Sequence, residues 1–367
     1  MKIGILKETL PGERRVAAVP DTVKRYVARG AAVLLERGAG DAAAYTDAQF
    51  EAVGAQCVDR AAALAADLVL KVRRPERDDL AQMRSGAVHV SLLELCEDDG
   101  TLAAASAQGV KIFAMERIPR ISRAQSMDAL SSQANIAGYR AVLEGANRYG
   151  RFLPLMMTAA GSAKPAKFYV LGAGVAGLQA IATARRLGAE VWAYDVRPEV
   201  REQIESLGAK FLELEVGESG AGQGGYAKEL SDEAKARQQA ALEQALTRAD
   251  IVVSTALIPC RPAPVLVTEA AVQGMREGSV VVDLAAATGG NCPLTKADEV
   301  ITAHGVTIVG FTNYPSMLAA DASSFYARNL LNLFELMTAD RDGSREFIDF
   351  ASDEITAAAW ANREESH

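Results

Sequence analysis

Between Phe168 and Gly177 the chain reads Phe168-Tyr169-Val170-Leu171-Gly172-Ala173-Gly174-Val175-Ala176-Gly177, an apolar run that ends in a Gly-x-Gly-x-x-Gly turn. A helix-like stretch over Leu178–Leu187 follows and closes at Gly188. Each glycine has a chemical purpose in this order. Gly172 permits a tight turn, Gly174 lets a pyrophosphate approach the backbone, and Gly177 lets the helix pack close to the strand. The helix N-terminus then offers open N–H groups and a partial positive charge to the phosphates. A second strand-like run, Glu190–Tyr194, ends in Asp195, eighteen positions past Gly177. A carboxylate there accepts hydrogen bonds from ribose hydroxyls and repels a 2′-phosphate, so the set implies NAD(H) rather than NADP(H). Arg197 leaves alternatives open, because its guanidinium can meet a phosphate, lie over the adenine or stay solvated. The nucleotide-contacting residues read from this block are Gly172, Gly174, Val175, Ala176, Gly177, Asp195, Val196 and Arg197.

The groups that most dehydrogenases place beside the nicotinamide are harder to find. Oxidising an alcohol, hydroxy acid or amino acid moves a proton as well as a hydride, and a His or Lys commonly carries it. The three histidines are His89 in a strand-like run, His304 before Gly305 at a turn, and His367 at the chain end. All three read as structural or solvated, which points to a reaction with no substrate proton to handle. The four cysteines, Cys57, Cys96, Cys260 and Cys292, form no Cys-x-x-Cys pair. No metal site and no disulfide is expected, and the thiols read as small apolar residues. The net charge of −8 is spread along the chain, so there is no basic patch for nucleic acid. No apolar run approaches the ~20 residues that span a bilayer, and the N-terminal Met1–Glu8 reads as a first strand and not as a leader.

The elements that must position these residues fall into two blocks, as expected for 367 residues. In the first, strands are expected at 2–7, 32–36, 67–72, 87–93 and 110–115, with helices such as 20–29 and 101–108. A long connecting helix is expected over about 125–149, followed by a short turn-rich junction at 161–165. In the second, strands are expected at 167–171, 190–194, 251–254, 279–283 and 306–310. Gly217–Gly225 is too glycine-rich to order cheaply, and a helix is expected from about 227 to 248. A helix over 317–337 is expected to return to the first block, and the residues after Asp340 read as a polar tail. Alternating strands and helices imply an α/β chain of two Rossmann-like domains with parallel sheets, joined by long helices. The first, discontinuous domain covers 1–134 and is completed by 315–367; the NAD(H)-binding domain covers 135–314. A nucleotide cleft is expected between them.

The stretch Arg120-Ile121-Ser122-Arg123-Ala124-Gln125-Ser126-Met127-Asp128-Ala129-Leu130-Ser131-Ser132-Gln133 resembles the hallmark segment of the NAD(H)-binding domain of proton-translocating transhydrogenases. The similarity continues in Lys7-Glu8 through Arg15-Val16-Ala17, in Gly224–Glu229, in Thr255–Pro259, in Asp283-Leu284-Ala285, in Gly289–Pro293, and in Asn313 with Pro315-Ser316. The resemblance implies a transhydrogenase of the Si-specific, proton-translocating type. Hydride passes directly from NADH, bound here, to NADP⁺ held only by a separate NADP-binding subunit, and a membrane-spanning subunit couples this to proton movement. It further implies a homodimer without direct membrane insertion, cytoplasmic and peripheral to the inner membrane through its partners. By the same resemblance Arg120, Gln125, Asp128 and Ser131 take the nicotinamide side, with Gln125 the most intimate. Gly217–Gly225 with Tyr226 forms a loop that closes over the nucleotide, and Ala256 and Leu257 join the cofactor contacts. On spacing alone, Arg120 and Asp128 read equally as surface charges capping the long helix.

Alanine dehydrogenases resemble the chain too. Their substrate-carboxylate Arg is matched by Arg15, but their substrate Lys is Arg73 here, their catalytic His is Glu94, and their nicotinamide-side Asp is Ala287. Arg stays charged and Ala carries no proton. An alanine-dehydrogenase-like oxidoreductase and a non-catalytic NAD-binding module remain as alternatives.

Overall fold

The near-continuous apolar runs of the first third become strands buried on both faces, as expected where helices cover a parallel sheet on each side. A computed structural model describes residues 1–94, 96, 99–214 and 232–363. The chain divides into two compact units, Met1–Gln133 with Pro315–His367, and Ala134–Tyr314. In the first unit the strands are β1 (Lys2–Ile5), β2 (Ala32–Glu36), β3 (Gln56–Val58), β4 (Leu68–Arg73), β5 (Val88–Leu92) and β6 (Lys111–Ala114). They form one parallel sheet in the order β3-β2-β1-β4-β5-β6. In β4, Leu68, Leu70 and Val72 join the core on one face and Val69 the core on the other. The helix Ala319–Met337 returns to this unit, as the sequence suggests, and buries Tyr326, Leu330, Leu333, Phe334 and Met337.

The second unit repeats the plan. Its strands are β7 (Met156–Thr158), β8 (Gly161–Ala163), β9 (Lys167–Leu171), β10 (Glu190–Tyr194), β11 (Lys210–Phe211), β12 (Ile251–Ser254), β13 (Val280–Asp283), β14 (Val300–Ala303) and β15 (Val306–Val309). The main sheet runs β11-β10-β9-β12-β13-β15-β14, parallel except for the edge strand β14, which is antiparallel to β15. The strand order reverses between β9 and β12, and ligands of such sheets bind outside the carboxyl ends of the strands at that reversal. The helix Ala129–Arg148 begins in the first unit and ends in the second. Its Gly138 packs so closely on the helix Val175–Arg186 that a Cβ there would lie 2.0 Å from the Ala176 carbonyl oxygen.

Several expectations are corrected. Ser122–Met127 is a 3₁₀ segment and the long helix starts only at Ala129, where Asp128 caps it. The junction at 161–165 contains β8, which pairs with β7 in a small hairpin. The stretch after Asp340 is no loose tail. Thr338–Arg341 and Ser344–Phe347 pair antiparallel, and a helix covers Glu354–Ala359. Phe350 is 3% exposed and meets Phe113 edge-on at 4.9 Å, while Trp360 stacks on Phe113 at 6.3 Å. Phe347, Phe350 and Trp360, scattered through a polar stretch, show no helical or strand period, yet their packing around the buried Phe350 orders the segment. Cys57 and Cys292 are free thiols, while Cys96 and Cys260 are not, against the expectation of four thiols. Gly217–Gly225, Tyr226 and His367 lie outside the described residues.

Candidate functional site

The glycine turn is built by backbone contact rather than by side chains. Gly172, at φ 97°, leaves β9 in the left-handed region. A Cβ on it would stand 2.6 Å from Thr255 Oγ1, and a Cβ on Gly177 would stand 1.9 Å from the Gly172 carbonyl oxygen. Thr255 locks the turn from the neighbouring strand end: its N–H donates to the Leu171 oxygen at 2.8 Å, and its hydroxyl to the Leu171 and Gly172 oxygens. Gly174 is the N-cap of the helix Val175–Arg186 and supplies no side chain to cap it. Among the described residues no atom lies within 4 Å of a Cβ placed on Gly174. Gly174 and Val175 are exposed and Ala176 is half-buried, so the open helix N-terminus faces outward with its N–H groups and dipole available to an anion.

Asp195 follows β10 and is buried. Its Oδ2 accepts from the Ala173 N–H at 2.8 Å, which ties the carboxylate to the glycine turn. Arg197 supplies the other bonds: its main-chain N–H and Nε donate to Oδ1, both at 2.9 Å, and a terminal guanidinium nitrogen donates to Oδ2 at 3.0 Å. Burial would raise this carboxyl, but the hydrogen bonds from Arg197 and Ala173 prevail and hold it below the usual range. Val196 is half-buried beside it.

The third wall is the segment after β12. Leu257 and Ile258 are 53% and 44% exposed, an unusual extent of apolar surface in a loop. No regular element holds this loop. Asn291, fully buried, does: its amide nitrogen donates to the Ala256 and Pro264 oxygens, each at 2.8 Å, and its oxygen accepts from the Ala256 N–H at 3.2 Å. Asn291 is held in turn by Asp283 at the end of β13, whose carboxylate accepts from the Ala285 and Cys292 N–H groups and from the Thr295 hydroxyl. Thr255, Asp283 and Asn291 stand inside recognisable motifs, but their supporting roles depend on partners up to 84 residues away.

Of the residues expected on the nicotinamide side, all four lie in the first unit. Asp128 and Ser131 are joined: Oδ1 accepts from the Ser131 N–H at 2.8 Å and Oδ2 from its hydroxyl at 2.6 Å. This is helix capping, so the reading of Asp128 as a cap is present in the structure. The 3₁₀ segment before it is pinned from below. Ala124 and Met127 are buried, and Asn329 and Asn332 donate to the Ser126 oxygen. Gln125 on the same segment is exposed, as is Arg120.

The first unit has its own charged crevice where β1 meets β4. Arg15, 3% exposed, forks onto Glu13 and donates to Gln133. Arg73 pairs with Glu13 and Glu94. Burial opposes the charge on Glu13, but Arg15 and Arg73 bring its carboxyl down to about 2. Glu8 goes the other way: burial lifts it to about 7 despite the Lys71 charge and the Val72 N–H. His89 is buried with Nε2 at 3.0 Å from the Ser91 hydroxyl, and burial lowers it to about 3, so the ring is neutral at neutral pH.

Known proteins share this architecture. Residues 4–137 match the family model "Alanine dehydrogenase/PNT, N-terminal domain" and residues 141–363 its C-terminal counterpart. A relative from Rhodospirillum rubrum, named as an NAD(P) transhydrogenase alpha subunit, is 48% identical over 99% of this chain and 97% of its own length. A solved transhydrogenase from Sinorhizobium meliloti is 45% identical with a TM-score of 0.83, covering 92% of this chain and 94% of that one. A solved L-alanine dehydrogenase is 26% identical with a TM-score of 0.80, covering 99% and 96%. The chain belongs to the alanine dehydrogenase/PNT family, among the relatives named as NAD(P) transhydrogenase alpha subunits.

Proposed function

We propose that the chain is the NAD(H)-binding component of a proton-translocating transhydrogenase of the Si-specific type. It presents NADH so that hydride passes to NADP⁺ on a partner subunit, and a membrane subunit couples the transfer to proton movement. The reaction balances without a proton: C4 of one nicotinamide loses a hydride with both electrons, C4 of the other gains it, and NADH and NADP⁺ become NAD⁺ and NADPH. Catalysis then consists of orientation and exclusion of water. The observation that carries this reading is a complete dinucleotide cradle without proton carriers where an amino-acid dehydrogenase keeps them. Ala287 lies in a short 3₁₀ turn after β13, and Arg73 and Glu94 are paired with each other.

In this reading Gly172, Gly174, Val175, Ala176 and Gly177 hold the pyrophosphate, Asp195 and Val196 the adenosine ribose with Arg197 lying beside it, and Ala256 and Leu257 the nucleotide's apolar surface. Gln125 stands nearest the hydride path on a segment anchored by its neighbours, with Arg120, Asp128 and Ser131 around it. The relatives' names support partner subunits, and among the described residues no helix is long and apolar enough to cross a membrane. A homodimer peripheral to the inner membrane on its cytoplasmic face fits both. The test is reconstitution: purified chain, NADH, an oxidised NAD analogue of distinct absorbance, and the NADP-loaded partner. Rapid reduction of the analogue that needs both proteins and is lost in Gln125→Asn supports the reading. Tight NADH binding and proven association with no transfer would overturn it in favour of a non-catalytic NAD-binding module.

A further inference from the structure

A carboxylate has about four acceptor positions, two on each oxygen. Those of Asp195 are all taken. Oδ1 accepts from the Arg197 N–H and Nε, and Oδ2 from the Ala173 N–H and a guanidinium nitrogen of Arg197. Two of these donors are main chain. One belongs to the glycine turn and the other to Arg197 itself, three residues past the end of β10, so neither can leave without rebuilding the site. The other two sit on one flexible side chain that is 20% exposed, against 7% for Asp195. A ribose bearing two hydroxyls needs two acceptor positions, and the guanidinium holds that number in a side-on fork.

We propose, resting on the NAD(H) reading of this turn, that Arg197 is an exchangeable lid on the ribose site and sets its nucleotide preference. The guanidinium must let go of Asp195 before the 2′- and 3′-hydroxyls can bind, and it is thereby released beside the 2′ position. Its fork matches a carboxylate and a phosphate equally well. With NADH, Arg197 is an internal competitor whose removal strengthens binding. With NADPH, the released guanidinium is the one charge of this pair that attracts the 2′-phosphate, so its removal weakens binding. Asp195 alone would give a site that rejects NADPH outright; the pair gives one that trades affinity for NADH against residual affinity for NADPH.

The experiment titrates NADH and NADPH fluorescence against the full chain and against Arg197→Met, Arg197→Gln and Arg197→Lys, with thermal midpoints recorded for each. A partly exposed pair contributes on the order of 1 kcal/mol, so Arg197→Met and Arg197→Gln are expected to bind NADH about fivefold tighter. They are expected to bind NADPH weaker than wild type. Arg197→Lys keeps the charge without the fork and falls between. NADH affinity that is unchanged or lower in folded Arg197→Met and Arg197→Gln overturns the lid. Wild-type chain that binds neither nucleotide overturns the NAD(H) reading itself, and this arm separates the two failures.

Discussion

Two glycines of one turn, three residues apart, should fail in opposite ways when given a methyl group. The Cβ of Gly177→Ala falls 1.9 Å from the Gly172 carbonyl oxygen and 2.8 Å from its carbon, where ordinary contact begins at 3.4 Å. Helix and turn must therefore part by about 1.5 Å, and the obstacle is backbone rather than the yielding end of a side chain. Overpacking of this kind costs ~1–3 kcal/mol. At roughly 2–4 °C per kcal/mol for a unit of this size, the second unit should melt roughly 2–12 °C lower. Gly174→Ala meets no described atom within 4 Å, and its φ of −74° suits any residue. Its melting temperature should stay within about 1 °C, because substitutions away from packed features cost at most ~0.5 kcal/mol.

Binding should reverse the contrast. In the proposed site the methyl of Gly174→Ala would occupy the space through which the pyrophosphate approaches the helix N-terminus. Losing one charge-assisted hydrogen bond, ~1.5–3 kcal/mol, weakens NADH by about tenfold to a hundredfold. The assays are NADH fluorescence titration and calorimetry on both variants. Gly174→Ala that binds NADH like wild type would refute the placement of the pyrophosphate. Gly177→Ala that keeps its stability would refute the claim that the turn is built on backbone contact.

Asn291→Ala strips partners from the half-buried Ala256 and Pro264 carbonyls, at up to ~1–3 kcal/mol for each group left unsatisfied. Amide exchange at 256–264 should accelerate and NADH affinity fall together; protection equal to wild type would sink the assignment. Glu8 sits near 7 in the fold against an ordinary 4.5, so the folded state binds the extra proton between those values. Its stability contribution is complete below about 4.5 and is lost as pH rises toward 7. Urea unfolding at pH 5 and pH 8 should show the wild type losing stability over that window and Glu8→Gln losing less; parallel slopes would contradict the burial of this carboxyl. Phe350→Ala removes the hub between Phe113 and Trp360 and should cost ~3–5 kcal/mol, read by chemical unfolding. A negligible loss would return the C-terminal stretch to the polar tail that its composition suggests.

What the sequence reveals is whatever is enforced locally. The turn from Gly172 to Gly177 is legible because three backbone demands fall within six residues, and most strands of both sheets are legible because burial on both faces leaves unbroken apolar runs such as Leu68-Val69-Leu70, whereas the half-exposed edge strands β3, β11 and β14 leave no such run and are missed. The hairpin of β7 and β8 is not legible either, because its six residues are nearly all exposed and carry no alternation to read. The start of the long helix is easily misplaced although its cap is in view: Asp128 followed three positions later by Ser131 is the signal, and it is as compatible with a binding role as with capping. Asn291 marks the limit most sharply. Its residue type and its glycine-rich setting are plain in the sequence, yet its function lies in bonds to Ala256 and Pro264, which are 35 and 27 positions away. Only the fold joins them, since β12 and β13 are neighbours in the sheet and present their carboxyl-end loops side by side. Candidate ligand-contacting residues can thus be read from motifs, while those that hold the candidates in place are visible only once the strands are paired.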